Sequence, residues 1–213
     1  VPDVLETQFA AILRAAAPEE GNTTIGPFRV LLSMVTSPDE VLEAREIYEK
    51  VARRLKRKQV PLPDVLPPLG IMVETPAAAL TASTMAQHAD FMALGTNDLT
   101  MYTLAVDRAD SMVADRYSPL HPAVLQLIEA TAEAALRTHR PISVCGEMAS
   151  DPRVVALLIG FGLRSFSMNS ASLPRVKRLI RTLKMEDCDH LRRQIMVETD
   201  PATIQSLIRD FAL

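Results

Sequence analysis

Apolar positions along the chain switch period repeatedly. Over residues 3–16, Val4, Leu5, Phe9, Ile12 and Leu13 recur three and four apart, the spacing of one helix face. A polar loop is expected over 18–27. From 28 to 35 the apolar residues become nearly continuous, which predicts a strand. Ser37-Pro38-Asp39-Glu40 then supplies a cap, a first-turn proline and early acids. The helix it opens runs through Val41, Ile47, Tyr48, Val51 and Leu55. It ends in a basic run over 53–58, which reads as a solvated helix C-terminus rather than a nucleic-acid patch. A proline-rich connector over 61–68 leads to a second buried strand, Leu69-Gly70-Ile71-Met72-Val73, which ends on Glu74. Thr75-Pro76 opens an alanine-rich helix over 77–85. A third strand over 91–94 closes on Gly95, and Asn97 and Asp98 follow before a short helix. A loop carrying Asp107 and Arg108 precedes a long helix over 122–137. Pro141-Ile142-Ser143-Val144-Cys145 is a fourth strand, closed by Gly146-Glu147. A helix over 152–159, a fifth strand over 164–168 and helices over 173–183, 185–196 and 201–211 complete the pattern.

Strands and helices thus alternate through about five units, and that order calls for a parallel sheet covered by helices. Apolar strands suit burial on both faces. Polar exceptions gather at strand C-termini: Glu74, Asn97, Asp98 and Cys145. In a (β/α)8 barrel of the TIM type that rim carries the chemistry. An open doubly wound sheet uses the same ends, but no G-x-G-x-x-G loop follows any strand. The expected architecture is therefore the last five or so β/α units of a barrel with extra C-terminal helices, a single domain over 1–213. Open sheet edges are expected near Val30 and Phe166, covered by self-association, by the helix over 3–16 or by another segment.

Length and composition narrow the function. With 213 residues and 48% hydrophobic residues, the chain can build a substantial core. A balance of 23 basic against 26 acidic residues, net −3, offers no footprint for nucleic acid. No run is apolar enough to insert in a bilayer. Cys145 and Cys188 stand in no metal-type spacing, so free thiols and a cytoplasmic setting are expected.

The candidate chemistry follows from the rim. Glu74 and Asp98 end neighbouring strands, and two carboxylates so placed can share a hard cation such as Mg2+. On sequence alone, Asn97 or Asp98 could instead cap the next helix. Asn97 can donate to an anion, and Arg108 can clamp a phosphate or carboxylate unless it pairs with Asp107 or Asp110. Cys145 could serve as proton donor or nucleophile, or be inert packing.

Four blocks, taken in order, resemble a known family. Gly70-Ile71-Met72-Val73-Glu74-Thr75-Pro76-Ala77-Ala78, Gly95-Thr96-Asn97-Asp98-Leu99-Thr100, Ala105-Val106-Asp107-Arg108 and Cys145-Gly146-Glu147-Met148-Ala149 look like signatures of the phosphoenolpyruvate-utilising enzymes. The likeness is greatest to the phosphoenolpyruvate–protein phosphotransferases of the sugar or nitrogen systems. Phe166-Ser167-Met168 and Leu173-Pro174-Arg175-Val176-Lys177 are similar to the closing segment of that group. The resemblance implies a barrel binding phosphoenolpyruvate and Mg2+, with Glu74 and Asp98 as metal ligands. It implies that Asn97 and Arg108 hold the phosphate, that Arg29 binds substrate, and that Cys145 protonates the enolate to release pyruvate. Ser33 departs from the pattern, which usually has proline there. The resemblance further implies a homodimer and a small histidine-containing phosphocarrier protein as partner. It places the phosphorylated histidine in another domain, so this chain alone is expected not to transfer phosphate to protein. His88, His121, His139 and His190 match no motif and are expected in surface or capping roles. The rival readings are a pyruvate phosphate dikinase or phosphoenolpyruvate synthase barrel, a Mg2+-dependent pyruvate aldolase, and a non-enzymatic dimerisation or binding module.

Overall fold

The computed structural model describes residues 2–16 and 28–211. The loop expected over 18–27 lies outside them. Helix α1 (Pro2–Ala15) precedes the short strand β1 (Val30–Leu32). Helix α2 (Pro38–Arg57) begins with a complete capping box: the Ser37 hydroxyl accepts from the Glu40 amide, and the Glu40 carboxylate accepts from the Ser37 amide. Strand β2 (Leu69–Val73) follows. The alanine-rich helix expected next is broken into α3 (Pro76–Leu80) and α4 (Ala82–His88) at Thr81. The Thr81 hydroxyl donates to the Ala77 carbonyl at 2.8 Å, a local bond of the kind that competes with helix continuation.

Strand β3 (Met92–Gly95), helix α5 (Thr96–Leu104), helix α6 (Pro122–Arg137) and strand β4 (Ile142–Cys145) carry the middle of the chain. Beyond them come a single-turn helix α7 (Glu147–Ser150), α8 (Pro152–Gly160), α9 (Leu173–Ile180), α10 (Met185–Met196) and α11 (Pro201–Phe211). The expected fifth strand is reduced to one parallel bridge, Val144 to Phe166. Val144 spends both its backbone groups on this segment, donating to the Ser165 carbonyl and accepting from the Ser167 amide.

Among the described residues the four strands are all parallel and lie in sequence order, β1-β2-β3-β4. A doubly wound sheet reverses its order at a switch point, whereas sequential order is that of a barrel wall. The two sheet faces differ accordingly. Ile71, Val73, Met92, Leu94 and Val144 are buried in one core with residues of α3, α4, α6 and α8. Val30 and Leu69 belong to a second core with Phe9, Leu13, Tyr48, Val51 and Leu55 of α1 and α2. Full burial of side chains such as Phe9, Leu13 and Leu55 contributes about 1.5–3 kcal/mol each. The alternate positions form the inner wall: Leu31 aligns with Gly70, Met72 with Ala93, and Gly95 with Cys145. Gly70 is needed there because the Phe91 ring lies 2.5 Å from where a Cβ would stand.

Among the described residues the β1 edge is paired on one side alone. Helix α1 packs on α2, and Glu6 takes ion pairs from Lys50 at 2.7 Å and Arg54 at 2.8 Å, so part of the expected solvated basic end is tied to α1. A groove of about 830 Å³ remains between α1, β1 and α2.

Candidate active site

Glu74 stands one residue beyond β2, beside Gly95 of β3 by the strand register. A Cβ on Gly95 would lie 3.0 Å from the Glu74 Cβ and Oε2, so the glycine leaves room for the carboxylate to cross the strand end. Glu74 is only 6% exposed. Its Oε1 accepts a hydrogen bond from the Met34 amide at 2.8 Å, and Met34 takes a left-handed backbone with φ 56°. Burial pushes the Glu74 carboxyl above its ordinary range; the Met34 bond opposes this, while the nearby Asp98 carboxyl raises it further.

Asp98 lies in the first turn of α5, where the helix dipole favours a carboxylate. The capping residue of that helix is Gly95 and no side-chain cap bond is made, which removes the capping reading of Asn97 and Asp98. Asn97 is engaged elsewhere: its Oδ1 accepts from the Glu147 amide at 3.0 Å. That bond fixes the side-chain orientation and leaves the Asn97 NH2 group as a donor.

Cys145 ends β4 and is half-buried. Its thiol is 3.4 Å from the Leu94 carbonyl oxygen. Burial raises the Cys145 thiol above its ordinary value, and the Glu74 and Asp98 charges act in the same sense. The Thr96 hydroxyl donates to the Cys145 carbonyl at 2.8 Å, joining the start of α5 to the end of β4. Gly146 follows with φ 95°, and a Cβ there would stand 2.4 Å from the Thr96 Oγ1 and 2.8 Å from the Asn97 Oδ1. Glycine is required on both counts.

Arg108 pairs with neither Asp107 nor Asp110, whose carboxylates accept from the amides of Ala109 and Met112. Its Nη1 instead donates to Glu147 Oε1 at 3.0 Å. A cleft of about 430 Å³ opens beside these groups, lined by Asn97, Cys145, Glu147, Asp151, Ser167 and Asn169 among others. Half-buried Tyr117 lies close by, its hydroxyl 3.5 Å from the Asn97 carbonyl oxygen, and burial, followed by the Glu147 charge, raises its pKa.

Glu74, Asp98, Asn97, Arg108 and Cys145 therefore come to one rim. Arg29 does not join them. It precedes the first residue of β1, at the opposite end of the strands, and its guanidinium carbon lies 5.2 Å from the Phe91 ring centroid. A contact of Arg29 with substrate at the rim would require the guanidinium to leave Phe91. Sequence reasoning missed Glu147, Tyr117, Ser167 and Asn169. Of these, only Glu147 carried a signal, its place two residues past a strand end that bears a candidate residue. His121 caps α6, its Nδ1 accepting from the Ala123 amide at 3.1 Å, and none of His88, His121, His139 and His190 lines the cleft.

Among the described residues no cluster of three or more His, Cys, Asp or Glu is arranged to hold a metal. The donor set at the rim is two adjoining carboxylates whose mutual repulsion a cation would relieve. This fits Mg2+, which takes one or two protein carboxylates and completes its shell with substrate oxygens and water. No helix of the described residues is long and apolar enough to cross a membrane.

Comparison with known proteins agrees with the geometry. Residues 1–185 match the family model described as "PEP-utilising enzyme, PEP-binding domain". The chain is 38% identical over 211 residues to a phosphoenolpyruvate-protein phosphotransferase of Haemophilus influenzae, covering 99% of this chain and 35% of that protein. It is 41% identical over 212 residues to the protein of the same name from Cupriavidus necator, again covering 99% and 35%. A phosphoenolpyruvate-dependent phosphotransferase system protein of Salmonella typhimurium is 42% identical over 193 residues, 91% of this chain and 25% of that one. The chain thus spans about a third of the length of the first two relatives, 35% of each. A crystal structure of a citrate lyase from Burkholderia xenovorans superposes with a TM-score of 0.60 at 17% identity, covering 96% of this chain and 68% of that one, a likeness of fold. With its signature blocks on one rim of a parallel barrel wall and the family model matched over residues 1–185, the chain belongs to the PEP-utilising enzymes, of which it carries the PEP-binding domain.

Proposed function

We propose that this chain is the phosphoenolpyruvate-binding part of a phosphoenolpyruvate–protein phosphotransferase, with its site at the rim formed by Glu74, Asp98, Asn97, Arg108 and Cys145. The observation that carries the reading is the joint placement at one rim of two carboxylates, an amide, an arginine and a thiol whose pKa is raised, with Asn97 and Cys145 lining the cleft and Arg108 tied to it through Glu147. Glu74 and Asp98 would hold Mg2+, which when bound neutralises charge on the phosphate and carboxylate oxygens of the substrate. The Asn97 NH2 and the free edge of the Arg108 guanidinium are donors, suited to phosphate oxygens. Loss of the phosphoryl group to a histidine acceptor leaves the enolate of pyruvate, whose C3 must gain a proton. Cys145 is suited to give it, since burial and the neighbouring carboxylates keep the thiol protonated at neutral pH. A nucleophilic role would call for the opposite shift.

The names of the relatives support a phosphotransferase-system protein, whose further partner would be a small histidine-containing phosphocarrier. The one-sided β1 edge and its groove support a homodimer, which sedimentation of the chain tests. Calorimetric titration with phosphoenolpyruvate in the presence of Mg2+ tests the central reading. Binding should require Mg2+ and be lost in Asp98→Ala. A titration with no heat, or one unchanged by Mg2+ and by Asp98→Ala, would refute it. A Cys145→Ala variant that keeps full phosphotransferase turnover in the longer protein would remove Cys145 as the proton donor.

A further inference from the structure

We infer that Glu147 is a positioning residue for Arg108, tying the guanidinium to the cleft that Glu147 lines with one edge left for the anionic ligand. The inference rests on the proposed phosphoenolpyruvate site, in which Arg108 meets the phosphate. Three observations carry it. Glu147 Oε1 engages a single corner of the guanidinium, Nη1, at 3.0 Å. An arginine fork has five N–H donors, so Nε and Nη2 stay available for a second, bidentate partner. The Glu147 backbone is itself anchored, because its amide donates to Asn97 Oδ1 at 3.0 Å. Finally, the preceding Gly146 adopts φ 95° and leaves no room for a side chain against Thr96 and Asn97, so the start of α7 has one seat at the rim.

A single bond network therefore orients both donors of the site. The Glu147 amide holds the Asn97 side chain by its Oδ1 and leaves the NH2 group as a donor, and the Glu147 carboxylate holds Arg108. Arg108 lies in the turn region after α5, 39 residues from Glu147 in sequence, and its side chain is 44% exposed. Without a partner such an exposed arginine samples many rotamers, and ordering it on binding would weaken the ligand. The pair itself is too exposed to matter for folding, since such pairs contribute little to stability. Its effect is on the geometry of Arg108.

The test is a set of variants, Glu147→Ala, Glu147→Gln, Arg108→Ala and Arg108→Ala/Glu147→Ala, titrated with phosphoenolpyruvate and Mg2+. Glu147→Ala should weaken binding about two- to fivefold, on the scale of one exposed charged pair. Glu147→Gln, which keeps an acceptor at the same reach, should return to within about twofold of the parent protein. In the Arg108→Ala background the second substitution should change nothing. A ligand-independent readout accompanies the titration: the Arg108 Nε–H signal in ¹⁵N NMR should be ordered in the parent and Gln variants and averaged in the Ala variant. Tighter binding by Glu147→Ala would overturn the inference, because Glu147 would then be a competitor for Arg108. So would an equal loss in the presence and absence of Arg108, or an Arg108 signal indifferent to Glu147. If the parent protein binds no phosphoenolpyruvate, the proposed function itself falls, whereas binding that depends on Arg108 but not on Glu147 removes the inference alone.

Discussion

Gly146→Ala is the substitution whose consequence can be worked furthest from the structure. Gly146 has φ 95° and ψ −176°, a region that is essentially glycine-only and costs other residues roughly 1–3 kcal/mol. The added methyl group would also lie 2.4 Å from the Thr96 Oγ1 and 2.8 Å from the Asn97 Oδ1, both far inside contact distance. Each of these oxygens makes a bond that holds α5 to the chain around Gly146: Thr96 to the Cys145 carbonyl at the end of β4, and Asn97 to the Glu147 amide at the start of α7. Displacing them costs about 0.5–1.5 kcal/mol apiece. Strain and lost bonds together centre near ~4 kcal/mol, a large fraction of the 5–15 kcal/mol typical of a whole domain. For a chain of this size the melting temperature should fall by roughly 8–16 °C. Thermal and urea denaturation read the loss directly. In a Thr96→Ala background the Thr96 share is already gone, so the double variant should be milder than the sum by about 0.5–1.5 kcal/mol. A loss below about 1 kcal/mol, the bottom of the strain range alone, would refute the argument. Strict additivity with Thr96→Ala would remove the contact half of it.

Two further outcomes are expected. Alkylation of Cys145 should follow a pH profile shifted above that of an ordinary thiol, because burial and the Glu74 and Asp98 charges disfavour the thiolate; reaction at or below the ordinary thiol range would contradict this. Cys188 is buried and should stay unlabelled until the protein unfolds, so mass spectrometry separates the two. Asp151 caps α8 through the Arg153 amide and also receives the Arg153 guanidinium, so Asp151→Ala should cost about 1 kcal/mol. Burial works to raise the Asp151 carboxyl, but the Arg153 bonds outweigh it and hold it below its ordinary value. A lowered carboxyl stabilises the fold above its unfolded pKa and loses that contribution as pH falls through the folded one. The stability gap between Asp151→Ala and the parent should therefore close in acid, below roughly pH 4. A gap that widens on acidification would contradict the assignment.

Much of this protein was legible in the chain itself. Strand β2 has the bounds that its apolar run sets, Leu69–Val73, and α6, α10 and α11 begin and end where period and flanking residues place them. The Ser37–Glu40 box could be read directly, since all its partners lie within four residues. Such signals are local: they depend on side chains spaced along one element. The order of elements also carried the fold class, because strand–helix alternation without a glycine-rich phosphate loop leaves the barrel wall as its best solution. The rim residues were legible because polar groups at the ends of otherwise apolar strands stand out.

What tertiary structure alone decided involves pairs distant in sequence or competition between local preferences. The apolar run over 164–168 makes one bridge instead of a strand, since strand length depends on what lies alongside and no sequence window contains that. The break at Thr81 depends on a hydroxyl choosing its own helix backbone. The position of Arg29 over Phe91, away from the rim, follows from where β1 starts in register with β2. The choice of Glu147 rather than Asp107 or Asp110 as partner of Arg108 was equally hidden, because the competing acids are nearer in sequence but hold their own turns. The sequence placed Glu74, Asn97, Asp98, Arg108 and Cys145 at strand ends and in the loop beside them; only packing across those ends decided how Asn97 is held, what raises the Cys145 thiol, and which acid aims the arginine.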